Sequence, residues 1–385
     1  MEQLVNWRRT LHAMPELGHE EYKTADFLEA ELRKMGLEPK RILPTGIIAD
    51  IQGSKPGRRV MIRADIDGLP IQEESDYPFV SQHKEVMHAC GHDGHMAIVL
   101  GTAAWFVHHR DDFAGTIRIL FQPSEEKTPG GALPMIEKGA LDGVDAAIGL
   151  HLWSVMKTGQ VGLISGGMMA AADRFVVKFT GRGGHASQPH LTSDAVLVAA
   201  QAVVNLQTIV SRKVDPARAA VVTVGTIHGG ANFNIISETA TITGTIRTFD
   251  EAVQENIHQE IRRICEQTAS MMGATADVTV SKGYPAVVNP ERSVEVLKKA
   301  YADASAPIEL VDMDPSMGGE DFSYFLQKVP GAFFFLGAMP TDTKRAFPHH
   351  HPRFTIDEEV LPMGVELLTK GALAFLNEEV VEASK

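Results

Sequence analysis

The stretch Thr116–Glu126 reads TIRILFQPSEE, an apolar run that stops at Pro123 and delivers two adjacent carboxylates, Glu125 and Glu126. Continuous runs of this kind belong to strands buried on both faces. Working outward, Gly46–Ile51 and Arg59–Ala64 read as strands joined by the turn Gly53-Ser54-Lys55-Pro56-Gly57. The second of them runs straight into Asp65-Ile66-Asp67. Asp93 is placed to N-cap a helix that continues to about His109. Beyond Glu126, residues 131–138 read as helix and Ala146–Leu150 as a short apolar strand ending at His151. Strands alternating with helices predict an α/β fold around a mostly parallel sheet. Such sheets bind ligands beyond the carboxyl ends of their strands. Asp65, Asp67, Glu125, Glu126 and His151 all fall at that edge.

Between the second and third strands lies Met87–His95, MHACGHDGH, with three histidines, one aspartate and one of the chain's two cysteines. Cys90 and His92 are separated by one glycine, so a thiolate and an imidazole converge in front of the loop. Both are good zinc ligands, at about 2.3 and 2.0–2.1 Å. An isolated Glu-Glu pair is by default a solvated acidic loop, but Pro123 and the buried strand hold this one at the functional edge. One carboxylate then binds metal while the other takes a proton from a metal-bound water. His151 alone reads equally well as ligand or core. The run His349-His350-His351 follows another predicted strand, Ala332–Leu336, which makes one of the three a distal ligand candidate.

The pattern changes near Asp173. Strands Arg174–Thr180, Ala220–Ile227, Thr239–Thr248 and Ala276–Ser281 interleave with helices Ser193–Ser211 and Glu251–Met272. The order βαββαβ predicts an inserted ferredoxin-like domain over 173–282, with residues 1–172 and 283–385 forming a discontinuous catalytic domain. Helices are expected at 2–14, 20–36, 291–303 and 358–377. A chain of 385 residues is long enough for two domains, since one core saturates at roughly 250–300 residues.

The formal charge of −13 argues against a nucleic-acid partner. No apolar run approaches the roughly 18 residues of a membrane span, and the N-terminus lacks an apolar signal core, so a cytoplasmic protein with no membrane partner is expected. Two cysteines make no disulfide framework, and Cys265, in a helical pattern, reads as an inert buried thiol. HExxH, GxSxG and GxxxxGK[ST] motifs are absent from the sequence. Gly181-Arg182-Gly183-Gly184-His185-Ala186 mimics a dinucleotide fingerprint, but Pro189 interrupts its continuation and the next helix starts too late.

Eight segments, RRTLHAMPEL (8–17), RADIDGLPI (63–71), MHACGHDGH (87–95), FQPSEE (121–126), GLHLW (149–153), GGHASQP (183–189), GGEDFSYF (318–325) and HHHPRF (349–354), together resemble the M20 metallopeptidase family. The resemblance spans essentially the whole chain and is to the amidohydrolase branch, which contains hippurate hydrolases, N-acyl-amino-acid deacylases, N-acetyldiaminopimelate deacetylases and auxin-conjugate hydrolases. It implies two divalent metal ions held by Cys90, His92, Glu126, His151 and His350, with Cys90 bridging. It further implies Glu125 as general base, Asp67 as the carboxylate that orients a ligand, and His185 as an oxyanion donor, supplied in dimeric relatives by the partner subunit. Asn234 and Arg247 match positions that hold the substrate's carboxylate end. The wider family has His-x-Asp where this chain has Asp65-x-Asp67, and a bridging Asp in place of Cys90. A softer thiolate shifts metal preference, so zinc, manganese, cobalt or nickel are all candidates. The implied activity is hydrolysis of the amide bond of an N-acyl L-amino acid, in a homodimer or homotetramer. A dipeptidase or carboxypeptidase, or a non-catalytic ligand-binding relative, are the alternatives.

Overall fold

The computed structural model describes residues 1–378 and divides into two compact units. Of the described residues, the first comprises 1–166, 288–314 and 321–378, and the second 167–287 and 315–320. The second therefore begins earlier and ends later than the periodicity predicts, and it takes in a distant loop. Backbone pairing explains that loop: Ala170 donates its N–H to the carbonyls of Ser316 and Gly318 at 3.0 Å each, and Met169 bridges Ser316.

The first unit is built on an eight-stranded mixed sheet. Its spatial order is Lys40–Arg41, Ile47–Gln52, Ala114–Gln122, Lys55–Asp65, Ala146–Lys157, Gly331–Met339, Gln160–Gly162 and Glu309–Val311. The four central strands run parallel, and antiparallel pairs flank them. The long apolar runs follow from this position. Of Ala114–Gln122 only the first residue is exposed, and Gly331–Met339 is buried up to its last residue, as strands covered on both faces must be. Helices Glu2–His12, His92–His108 and Val360–Leu376 contribute Leu11, Ile98, Leu100, Leu367 and Leu368 to the same core.

Two local expectations fail. Ala146–Lys157 continues seven residues beyond Leu150, so His151 lies inside the strand and not at its end. Helix His92–His108 starts one residue before the predicted cap: Gly91, at φ +89°, is the N-cap, a left-handed conformation that glycine tolerates, and Asp93 sits in the first turn. The Asp93 carboxylate is instead buried against Arg8 Nε at 2.7 Å and His12 Nδ1 at 2.8 Å.

The second unit has a four-stranded antiparallel sheet ordered Ala220–Gly229, Thr239–Thr248, Ala171–Thr180 and Thr275–Tyr284. The predicted helix over 193–211 is two, Ala195–Leu206 and Thr208–Arg212, meeting at Gln207. Ala195–Leu206 starts on an Asp194 side-chain cap, and Glu251–Met271 on an Asp250 cap. Val198, Ala202, Ile257 and Ile261 pack with Phe175, Val177 and Phe179 in a core of the unit's own.

Candidate metal centre

Four segments of the first unit bring the predicted ligands together. Cys90 precedes the Gly91 turn, His92 opens the helix, and Glu126 follows the strand Ala114–Gln122. His151 is in Ala146–Lys157, separated from that strand by Lys55–Asp65, and His350 is on a loop whose backbone is left-handed (φ +64°). The His350 N–H donates to the Ala89 carbonyl at 2.8 Å, which ties that loop to the Cys90 turn. Donor atoms of Cys90, His92 and His151 lie within 4.8 Å of one another, and so do those of Cys90, Glu126 and His350. The two sets share the sulfur. His350 is half-exposed, whereas Cys90, His92 and His151 are buried.

The imidazoles are oriented as ligands. His92 Nδ1 donates to the Asp67 carbonyl at 2.9 Å, and His151 Nδ1 to the Leu152 carbonyl at 2.8 Å. Each Nε2 is thereby left as a lone pair. His92 Nε2 is buried with no hydrogen-bond partner among the described residues, 3.6 Å from Asp65 Oδ2 and 4.0 Å from Glu126 Oε1, and the same Glu126 oxygen lies 3.1 Å from His350 Nε2. A buried ring nitrogen facing carboxylates without a hydrogen bond is expensive unless a proton or a cation lies between them.

Electrostatics ask for the same charge. Burial opposes protonation of His92, yet Asp65, Asp67 and Glu126 outweigh it and push its pKa up to about 10. Burial, reinforced by His95 and His349, holds His151 far below the ordinary histidine range and so neutral. Burial and then Glu126 and Glu125 push the Cys90 thiol well up; a divalent ion is the charge that reverses this and makes the thiolate stable. A set of thiolate, imidazoles and carboxylates suits zinc and its first-row neighbours.

Asp67 does more than the sequence implies. Besides its carbonyl bond to His92, its two carboxylate oxygens accept the Glu125 and Glu126 N–H groups at 3.0 Å each. The turn carrying both glutamates is thus moulded around one carboxylate. Its entry residue, Ser124, is left-handed at φ +53°, and its N–H donates to the buried Glu21 carboxylate at 2.8 Å. Glu21 also accepts the His19 N–H and the Thr45 hydroxyl. Glu125 itself is buried and lies within the donor cluster with His92 and Glu126.

The remaining predicted residues belong to the second unit. His185 pairs with Ile235 in a short ladder, and the Ala186 N–H donates to the Asn234 carbonyl, so His185 and Asn234 are neighbours. Arg247, half-buried, donates only to the Thr245 hydroxyl and the Ile246 carbonyl; no carboxylate pairs with it among the described residues. Burial lowers its pKa, and nearby Asp173 offsets part of that effect. Arg247 lies opposite Ala172, whereas His185 follows the far end of the same sheet, past Thr180. The eight residue steps from Thr239 to Arg247 alone span about 27 Å.

Residues 61–374 match the model for peptidase family M20/M25/M40, and the chain belongs to this family of hydrolytic enzymes. It is 42% identical over 381 residues to N-acetyl-L-cysteine deacetylase of Bacillus subtilis (strain 168), with 98% of this chain and 90% of that one covered. It is 47% identical over 312 residues to N-acyl-L-amino acid amidohydrolase of Geobacillus stearothermophilus, covering 80% and 84%. Among solved structures it resembles the Bacillus subtilis YXEP protein, a dinuclear metal binding peptidase of the M20 family. That match has 34% identity, a TM-score of 0.86, and coverage of 97% and 98%.

Proposed function

We propose that this chain is a two-metal amidohydrolase that cleaves the amide bond of N-acyl L-amino acids, releasing a carboxylic acid and the free amino acid. The carrying observation is that Glu125 stands beside two donor sets that share Cys90. Divalent ions there supply Lewis-acid polarisation and a water of lowered pKa. Glu125 is the base that takes the water's proton and returns it to the leaving nitrogen. Asp67 keeps Glu125 and Glu126 in register through their backbone N–H groups. Arg247 holds the substrate's α-carboxylate, for which an unpaired fork-shaped guanidinium is suited, with Asn234 as a further polar contact.

His185 acts as a hydrogen-bond donor to the developing oxyanion. Its Nδ1 accepts the Ser187 N–H at 3.1 Å, and the Ser187 hydroxyl lies 2.8 Å away, so Nε2 carries the proton. Arg247 lies near one end of Thr239–Thr248, and His185 lies in a separate two-stranded ladder beyond the strand's other end, so one copy is not expected to bring both to the same small substrate. The reading therefore requires a homodimer in which each centre takes its histidine from the other copy. The second unit has a surface suited to this. The edge strand Ala220–Gly229 carries no Lys, Arg, Asp or Glu to guard it, and Ile227 is exposed. Beside it Val196, which touches Gly229, lies with Leu197 and Val204 exposed on Ala195–Leu206; Leu191, Phe233 and Ile235 are exposed near His185. Ala195–Arg212, the stretch apolar enough for a membrane helix, is only 33% buried, and a second copy covers that face in this reading. The inserted domain then serves both assembly and catalysis in a cytoplasmic enzyme.

The test is a substrate panel on enzyme reconstituted with zinc, manganese, cobalt or nickel. N-acetyl-methionine and hippurate are expected to be cleaved; cleavage of free dipeptides alone would show a dipeptidase instead. Leu197→Lys with Val204→Lys is expected to yield an inactive monomer by light scattering, and an active monomer would overturn the shared centre.

A further inference from the structure

His95 is wedged between the two buried ligand imidazoles, its ring centroid 5.4 Å from that of His92 and 4.7 Å from that of His151. With Asp65 and His92 it forms a cluster compact enough to hold an ion itself. Its hydrogen bonds argue otherwise. Nδ1 lies 2.6 Å from Asp65 Oδ1, and the Leu152 N–H reaches Nε2 at 2.9 Å. A backbone N–H can only donate, so Nε2 offers the lone pair and Nδ1 bears the proton. Both nitrogens are engaged by protein, and neither is left for a metal.

What those bonds fix is geometry. Leu152 is the residue after His151, so His95 grips the backbone next to one ligand. One helical turn earlier on its own helix is His92, the other ligand. Asp65 is in turn held by Arg63 Nη1 at 2.7 Å, while Arg63 Nε reaches Gln122 at 2.9 Å and Nη2 reaches Asp321 at 3.0 Å. Arg63, Asp65 and Asp321 are fully buried, and Gln122 also donates to Asp321 at 2.7 Å. The chain of bonds therefore locks the ends of Lys55–Asp65 and Ala114–Gln122 to the middle of Ala146–Lys157 and to the first turn of the His92 helix.

We propose that His95 is a positioning residue: through Leu152 on one side and Asp65 on the other it sets the gap between His92 and His151, and with it the affinity for the ion held by Cys90, His92 and His151. The inference rests on the metal reading of those three residues. Outer partners that orient ligand histidines typically change metal affinity by about 10–100-fold when removed. Truncation here is expected to act on one ion of the two, because Glu126 and His350 make none of these bonds.

The experiment is a cobalt titration of the metal-stripped full chain, following the thiolate-to-cobalt absorption that Cys90 contributes. The unsubstituted chain is expected to bind two equivalents. His95→Ala is expected to lose about 10–100-fold in affinity for one equivalent and retain the other, with His95→Gln, which keeps both a donor and an acceptor, in between. Two equivalents of unchanged affinity in His95→Ala, or an equal loss at both with an unchanged melting temperature, overturn the proposal. Should His95→Ala melt below the assay temperature, Asp65→Asn decides the matter, since it weakens the same grip from the other end. A chain that shows no thiolate-to-cobalt band at all refutes the metal reading itself.

Discussion

His88, two residues before Cys90, provides a sharp test of how this site responds to acid. The side chain is buried (1% exposed), and neither ring nitrogen has a hydrogen-bond partner among the described residues. Burial, opposed by Asp93 but aided by His12 and His92, pushes its pKa down from 6.5 to about 3. A base whose native pKa is depressed binds fewer protons folded than unfolded below its ordinary value. Its neutral form therefore supports the fold fully above about pH 6.5, and that support drains away as the pH falls. At pH 5 the gap to 6.5 is 1.5 pH units, worth about 2 kcal/mol at 1.36 kcal/mol per unit. The figure hardly depends on the native value, provided that value lies well below 5. Substituting His88→Leu removes the titrating group without costing a hydrogen bond. Urea unfolding of the metal-free chain is expected to place the variant within about 1.5 kcal/mol of the parent at pH 8. Relative to that offset it should gain about 2 kcal/mol at pH 5. Acid sensitivity should not vanish, because His349, pushed down to about 4 chiefly by burial, titrates in the same direction. An offset identical at the two pH values would refute the reasoning.

Three further outcomes follow from the site. Glu125→Gln should lose about 10²–10⁴-fold in kcat while metal content, measured by atomic emission, stays at the parent level. Arg247→Ala should lower kcat/KM for N-acyl amino acids by about 1.5–3 kcal/mol, roughly ten- to hundredfold, and leave amide-capped substrates unaffected. Ser124→Val should destabilise the chain in thermal melts by about 1–3 kcal/mol more than Ser124→Gly does, because both lose the hydroxyl's contacts with His19 Nε2 and the Lys127 carbonyl but only the β-branched residue is forced to φ +53°.

Much of the fold was legible because buried parallel strands cannot hide their composition: Ala114–Gln122 and Gly331–Met339 are apolar almost throughout, and each leads towards a candidate ligand. The candidate ligands were legible only in part: Cys90, His92 and the Glu125-Glu126 pair stood out by residue type and place, whereas His151 read equally well as core and His350 was one of three histidines until the family resemblance singled them out. Periodicity was blind where hydrogen bonding decides. It gave Asp93 to a helix cap, but a buried carboxylate with Arg8 and His12 within reach is better satisfied by those cations, and Gly91 alone tolerates the cap's left-handed turn. It ended a strand at Leu150, because the pattern from His151 to Lys157 mixes polar and apolar residues, yet backbone pairing with Phe335, Leu336 and Gly337 carries the strand on. Nor could it separate His95 from His92, three residues away with the same side chain. The distinction is made by what faces each ring: Leu152 N–H and the Asp65 carboxylate engage both nitrogens of His95, whereas His92 meets only the Asp67 residue at Nδ1 and keeps Nε2 free for an ion. Spacing in the sequence identifies residues able to bind metal; partners at the second nitrogen decide which of them keep a lone pair to offer one.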